Sequence, residues 1–324
     1  MNILVLGGAG YIGSHMTKML CQTGHHVVVY DNLSTGHLEA VKWGTLVRGD
    51  LNDDGTLQRL FDAHHLDAVM HFSAKSLVGE SMTDPSLYYW NNVSGTLKLL
   101  DVMRHKGVRK LIFSSSAAVY GNPVSPLIDE THPLNPINPY GKTKLMVENI
   151  LSDYAAAYNI SSVSLRYFNA AGADESGEIG ESHNPESHLI PNILRSVTSG
   201  AASLKVFGND YPTPDCTCVR DYIHVTDLAR AHLLALDYMD GAPGAHVFNL
   251  GNGRGFSILE VIRAAEQVIG TPVPFTYEPR RNGDPPSLVA NSSRAAETLG
   301  WRAEKADITD IIGSAYKWHK NQWY

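Results

Sequence analysis

The stretch Gly7-Gly8-Ala9-Gly10-Tyr11-Ile12-Gly13 follows the apolar run Ile3-Leu4-Val5-Leu6 and opens a helix-length segment, Ile12–Gln22. Its spacing satisfies both G-x-x-G-x-x-G and G-x-G-x-x-G. Glycines so placed permit a tight turn, let the backbone approach a pyrophosphate and allow a helix to pack closely on a strand. The helix N-terminus then faces the phosphates. A glycine run alone is weak evidence; a strand before it and a helix after it supply the context the motif requires. Gly7, Gly10 and Gly13 are therefore candidate dinucleotide-binding positions.

Outward from this turn, apolar β-type runs alternate with helix-length segments. Strands are expected at Ile3–Leu6, Val27–Tyr30, Thr45–Arg48, Ala68–Phe72, Lys110–Ser114 and Ser162–Arg166. Helices are expected at Ile12–Gln22, Gly55–Ala63, Ser86–His105 and Pro139–Tyr158. Strands this apolar are buried on both faces, and helices between them imply right-handed crossovers. The fold class is thus α/β, a doubly wound parallel (Rossmann) sheet, with its ligand at the carboxyl ends of the strands. After Arg166 the rhythm changes. Residues 169–188 read as a loop or crossover. Helices follow near 189–198, 226–239 and 258–269, strands near 246–250 and 274–277, and then two final helices. We expect a nucleotide-binding domain over 1–168 and a smaller C-terminal substrate-capping domain over 169–324. Elements near 220–250 are candidates to return to the first.

Asp31 ends the second strand, about 20 residues past the glycine turn, where an acid can bind the adenosine ribose hydroxyls. The next residue is Asn32 rather than Arg, so a 2′-phosphate would meet a carboxylate; this favours NAD over NADP. Asp50, at the end of the third strand and followed by Leu51, is a candidate for the adenine side.

Composition narrows the function classes. The 324 residues are 43% apolar and 18% charged with a formal charge of −7, which argues against a broad nucleic-acid surface. The three cysteines, Cys21, Cys216 and Cys218, are too few for a disulfide framework, and no metal site is expected. The N-terminus lacks a basic start and a cleavage site and reads as a first strand, and no stretch approaches a membrane span. A cytoplasmic location without membrane partners is the expectation.

Tyr140-Gly-Lys-Thr-Lys144 places a phenol and an ammonium one helical turn apart on one face. A nearby cation favours the phenolate, so such a tyrosine becomes a usable general base near neutral pH. Ser114-Ser115-Ser116 closes the fifth strand, with hydroxyls at the carboxyl edge of the sheet. Ser116 lacks the G-x-S-x-G elbow and an evident acid–His pair, so it orients a reacting oxygen rather than attacking one.

The set Gly7–Gly13, Asp31, Ser116, Tyr140 and Lys144 resembles the extended short-chain dehydrogenase/reductases. Longer runs resemble the UDP-glucose 4-epimerase family within them. These are Val78-Gly-Glu-Ser81, Ser114-Ser-Ser-Ala-Ala-Val-Tyr-Gly121, Asn138-Pro-Tyr-Gly-Lys142 and Leu165-Arg-Tyr-Phe-Asn169 in the first half. Gly208-Asn-Asp-Tyr-Pro-Thr213, Val219-Arg-Asp-Tyr-Ile-His-Val225 and Pro279-Arg-Arg-Asn-Gly-Asp284 continue it in the second. The resemblance implies that Phe72, Ser73, Asn91 and Phe168 line the cofactor, with Tyr11 and Ile12 on its phosphates. It implies a UDP-hexose held by Asn169, His188, Leu189, Phe207, Arg220, Arg281, Asp284 and Leu288. Two Arg suit a diphosphate and a carboxylate suits a ribose hydroxyl. The chain departs from the family at four places: Cys216 where Gly is usual, His188 where Asn is common, Lys75 one place early, and Leu288 where some members carry tyrosine.

The implied reaction inverts C4 of UDP-glucose or UDP-galactose through a 4-keto sugar, with NAD as transient hydride acceptor and N-acetylated UDP-sugars as further candidates. Alternatives are another nucleotide-sugar epimerase, a 4,6-dehydratase or a non-catalytic NAD sensor. A dehydratase needs an acid–base pair where this chain has Ala117-Ala118. A homodimer is expected through helices near 88–103 and 145–158, since the segment Tyr88–Met103 is apolar around much of its circumference.

Overall fold

The computed structural model describes residues 1–198, 203–281, 284–322 and 324; Asn282 and Gly283 of the Pro279–Asp284 motif lie outside the described residues. Six apolar runs of the first half form β1 (Asn2–Leu6), β2 (His26–Asp31), β3 (Thr45–Arg48), β4 (Ala68–His71), β5 (Lys110–Ser116) and β6 (Ser161–Tyr167). Beyond them lie β7 (Asn169–Ala171), β8 (Leu204–Phe207), β9 (Val219–His224), β10 (Ala245–Leu250), β11 (Gly255–Ser257), β12 (Phe275–Glu278) and β13 (Ser287–Leu288).

One seven-stranded sheet has the order β10-β6-β5-β4-β1-β2-β3, and every neighbouring pair in it is parallel. The chain runs outward from β1 to β3, then restarts on the other side with β4, so the order reverses between β1 and β4. That is the switch point at which doubly wound sheets bind ligands. Both faces are buried, as the apolar strands require. Ile3 and Val5 join one core cluster with Met16, Leu20, Leu228 and Trp301. Leu4 and Leu6 join the opposite one with Leu57, Leu99, Leu111 and Leu151.

The rest of the chain builds a second layer of short elements. β9 pairs β7, β11 and β13, and β8 pairs β12. Helices Leu189–Thr198, Ile258–Ile269 and Ile308–Lys320 close a third apolar core around Ile193, Val261 and Ile312. β10, from the span flagged as a candidate to return, pairs β6 in the main sheet. Helix Val225–Tyr238 packs on helix Tyr11–Gln22. Among the described residues no helix is long and apolar enough to cross a membrane.

Two local readings need correction. The segment read as one helix, 86–105, is three pieces: Pro85–Tyr88, a π-helical stretch Tyr89–Ser94 and Gly95–Lys106. Wide turns of this kind are frequent at functional sites, and this one carries Asn91 and Asn92. The span 169–188 is not all loop, because Asn169–Ala171 pairs in register with Tyr222–His224.

Cys216 has φ +64, a conformation in which a side chain is strained and glycine is not. It is exposed and has little packing to lose. Cys216→Gly is expected to stabilise the fold by about 1 kcal/mol, a rise of roughly 2 °C in melting temperature. A thermal melt of the variant at or below the parent's would refute the strain.

Candidate functional site

At the switch point the glycine turn abuts the ends of β1 and β4. A Cβ on Gly13 would lie 2.1 Å from the Gly7 carbonyl oxygen, so only glycine lets helix Tyr11–Gln22 start this close to the loop. No side chain caps the helix at Gly10, and its first-turn amides, including those of Tyr11 and Ile12, form an anion-binding end. The Tyr11 hydroxyl donates to the Gly172 carbonyl at 2.6 Å, tying the turn to the segment after β7.

Asp31 closes β2 and accepts the Ala9 amide at 2.9 Å and the Leu33 amide at 2.8 Å. Burial raises its carboxyl above the ordinary value, against those two hydrogen bonds. Leu33 pays for the second with φ +59. Asn32 donates to Asp50 at 2.7 Å. Burial works against the Asp50 carboxylate, but hydrogen bonds from Asn52 and Asn32 outweigh it and hold the group below its usual value.

An open cleft runs along this edge. Gly7, Gly10, Asp31, Asn32, Asp50, Leu51, Phe72, Ser73 and Asn91 all line it. Its uncapped helix end and buried acid at the ribose position fit a dinucleotide. Sequence reasoning missed Ser34, Thr35 and Gly36 on its rim; a polar loop directly after Asp31 was the available signal. It also left open Lys75, which lines the cleft and is held by Asn92 through its amide at 2.9 Å and its carbonyl at 3.0 Å. Phe168 lies elsewhere, packed on the apolar cluster of Ala117, Val119, Tyr120 and Ile128 with Leu288.

Ser116 ends β5, and helix Pro139–Tyr158 brings Tyr140 to it. Pro139 occupies the first turn, and the Asn138 side chain caps the helix by accepting the Gly141 amide at 2.8 Å. Ser116 stands beside Tyr140 and opposes the upward push of desolvation on the phenol. Lys144 Nζ donates to the Ser114 carbonyl at 2.6 Å and lies 5.8 Å from the centre of the Tyr140 ring. Burial lowers Lys144 to about 7, with the Glu148 carboxylate opposing. The expected lowering of Tyr140 by this lysine is therefore not the leading effect: desolvation governs both groups.

The residues assigned to a UDP-sugar fall into two sets. Arg220 on β9 donates to Asp284 at 3.1 Å and to the Pro285 carbonyl at 3.0 Å. Leu288 sits opposite Arg220 in the β13–β9 pairing, and the Arg281 guanidinium lies 4.0 Å from the centre of the Phe207 ring. Asn169 donates to the Asp221 carbonyl at 2.8 Å. His188, just before the helix that Leu189 starts, pairs with Glu181, and Glu181 also meets His183 at 3.1 Å. With Glu186 these groups lie within 4.8 Å of one another, a donor set that could hold a metal ion as well as pair internally. Burial lowers His183, but Glu181 and Glu186 raise it to about 9, so it carries charge at neutral pH.

Residues 3–251 match the NAD dependent epimerase/dehydratase family. Over 322 residues the chain is 50% identical to a UDP-glucose 4-epimerase of Halalkalibacterium halodurans, covering 99% of this chain and 96% of that one. The crystal structure of a UDP-glucose 4-epimerase from Brucella ovis in complex with NAD is 51% identical, with TM-score 0.94 over 97% of both chains. One from Bifidobacterium longum in complex with NAD+ and UDP is 40% identical, with TM-score 0.95 over 99% of both. Agreement of this extent, in sequence and in backbone alike, makes the chain a member of the NAD dependent epimerase/dehydratase family.

Proposed function

We propose that this chain is a UDP-glucose 4-epimerase that works in the cytoplasm as a homodimer. The observation that carries the chemistry is the meeting of Ser116, Tyr140 and Lys144 at the carboxyl edge of β5, the strand next to β4, whose end lines the dinucleotide cleft. The cleft residues Gly7, Gly10, Asp31, Phe72, Ser73 and Asn91 would hold NAD, which supplies a hydride acceptor, and then a donor, for C4 of the sugar. Tyr140 takes the proton of the 4-hydroxyl and later returns it. Ser116 hydrogen-bonds the reacting oxygen, and Lys144 holds positive charge beside the phenol. Arg220, Arg281 and Asp284 grip the UDP end, far from C4, so the sugar can turn without leaving. Ala117 and Ala118, where a dehydratase needs an acid and a base, begin a short 3₁₀ turn and offer no titrating group.

The dimer reading rests on exposed apolar side chains. Tyr88, Leu99, Leu100, Val102 and Met103 are consumed by the chain's own core. Trp90 (64% exposed) and Met82 (61%) are left outside, with Val78 and Met146 on the helices beside them. Such a patch on packed helices suits a second copy.

Purified protein is expected to carry NAD and to convert UDP-galactose to UDP-glucose without added reductant. Tyr140→Phe should keep the bound NAD while losing roughly 10²–10⁴-fold in turnover; near-parental turnover would exclude Tyr140 as the base. Light scattering should report a dimer, and Trp90→Glu a monomer; a monomeric parent would refute the interface. Leucine at 288 leaves more room than tyrosine, so UDP-N-acetylgalactosamine should be turned over. Leu288→Tyr should then cut that activity by about tenfold or more relative to UDP-galactose. A parent inactive on the acetamido sugar would overturn the open wall.

A further inference from the structure

Tyr140, Lys144 and Glu148 stand one turn apart on one face of helix Pro139–Tyr158. Each is met by a different serine at the end of β5. Ser116 stands beside Tyr140, the Ser114 carbonyl accepts Lys144 at 2.6 Å, and Ser115 Oγ donates to Glu148 at 2.5 Å. Glu148 is 8% exposed and also receives Arg166 through two donors, Nε at 2.9 Å and Nη2 at 2.5 Å. Arg166 lies on β6 directly opposite Ser115 in the strand register. It donates onward to the Tyr120 hydroxyl at 2.9 Å, which donates to Asn249 on β10 at 2.6 Å.

We infer that Glu148 is a positioning residue for the reaction: with Ser115 and Arg166 it fixes the register of the helix against the sheet edge and keeps the Lys144 ammonium charged beside Tyr140. The inference rests on the reading of Tyr140 as the base. A helix that rotated or slid against β5 would carry Tyr140 away from Ser116, since one turn spans about 5.4 Å. The bidentate pair, anchored to two strands, resists both motions. The same carboxylate acts on the lysine. Lys144 is 2% exposed, and burial is what lowers it, with Glu148 opposing. Among the described residues, the other groups around it carry no competing anion. Its own helix adds the Tyr140 phenol, β5 the Phe113 ring at 4.7 Å, and β6 the Tyr167 phenol and the Arg166 charge already matched to Glu148. His71 on β4 is lowered by burial to about 3 and stays neutral.

A structural ion pair alone would affect melting but not the pH profile. The ammonium is lost as pH rises through the Lys144 pKa. Glu148→Gln removes the opposing anion and leaves Arg166 uncompensated, and both changes lower that pKa. In the full-length, NAD-loaded protein, the alkaline limb of kcat for UDP-galactose should move down by about one pH unit or more, with KM within about threefold. Glu148→Asp should restore most of the limb. Ser115→Ala keeps both charges and folds even if Glu148→Gln does not; it should lower kcat at unchanged KM with the limb unmoved. A limb in Glu148→Gln that superposes on the parent's, or a parental kcat in Ser115→Ala, overturns the inference. Those results beside an inactive Tyr140→Phe would sink this role alone, whereas an active Tyr140→Phe would sink the proposed base instead.

Discussion

A parallel sheet buried on both faces can meet a ligand only along its edge, and every feature of this site follows from that constraint. Helices cover the flats, so the carboxyl ends of the strands are where backbone and side chains come free. β1 delivers the glycine turn, β2 Asp31, β4 Phe72 and Ser73, and β5 the three serines. The reversal of strand order between β1 and β4 opens the gap that a dinucleotide can enter. Once the sheet is formed, one helix laid across β5 suffices to bring a phenol and an ammonium to the same edge.

Much of this was legible in the chain because the signals were local. Helix Pro139–Tyr158 announces itself by Asn138-Pro139 at its start, and it ends at Asn159 in a left-handed conformation. Alternation of apolar runs and helices gave six strands of the main sheet to within two residues at their ends. What was not legible depends on contacts distant in sequence. Nothing local marks the π-helical widening at Tyr89–Ser94, which packs against helix Pro139–Tyr158. The pairing of Asn169–Ala171 with β9 joins residues about fifty positions apart. Glu148 and Arg166 read as ordinary charges on a helix and a strand until the fold buries them together.

The electrostatics of the site reverse a simple expectation. Spacing alone suggests that Lys144 makes Tyr140 acidic. In the folded chain Lys144 is buried and Tyr140 half-buried, and desolvation raises the phenol while it lowers the amine. Their charged forms depend on what surrounds them: Ser116 for one, Glu148 for the other. Buried charges in pairs are tolerated only with their hydrogen bonds complete. The Glu148–Arg166 pair meets that condition through Ser115 and Tyr120.

The return of β10 to the main sheet also bears on how such a chain can be inherited. The first 168 residues contain the nucleotide motif, yet they do not contain a self-sufficient module. Cut there, β6 would become a bare edge, and the face carrying Ile3, Val5 and Met16 would lose the cover of Leu228, Ala235 and Trp301. Recombination that swapped only the C-terminal half would have to carry two inserted pieces of the nucleotide half with it. Change in what such a protein accepts is therefore easier to reach by substitution at single positions than by exchange of whole segments.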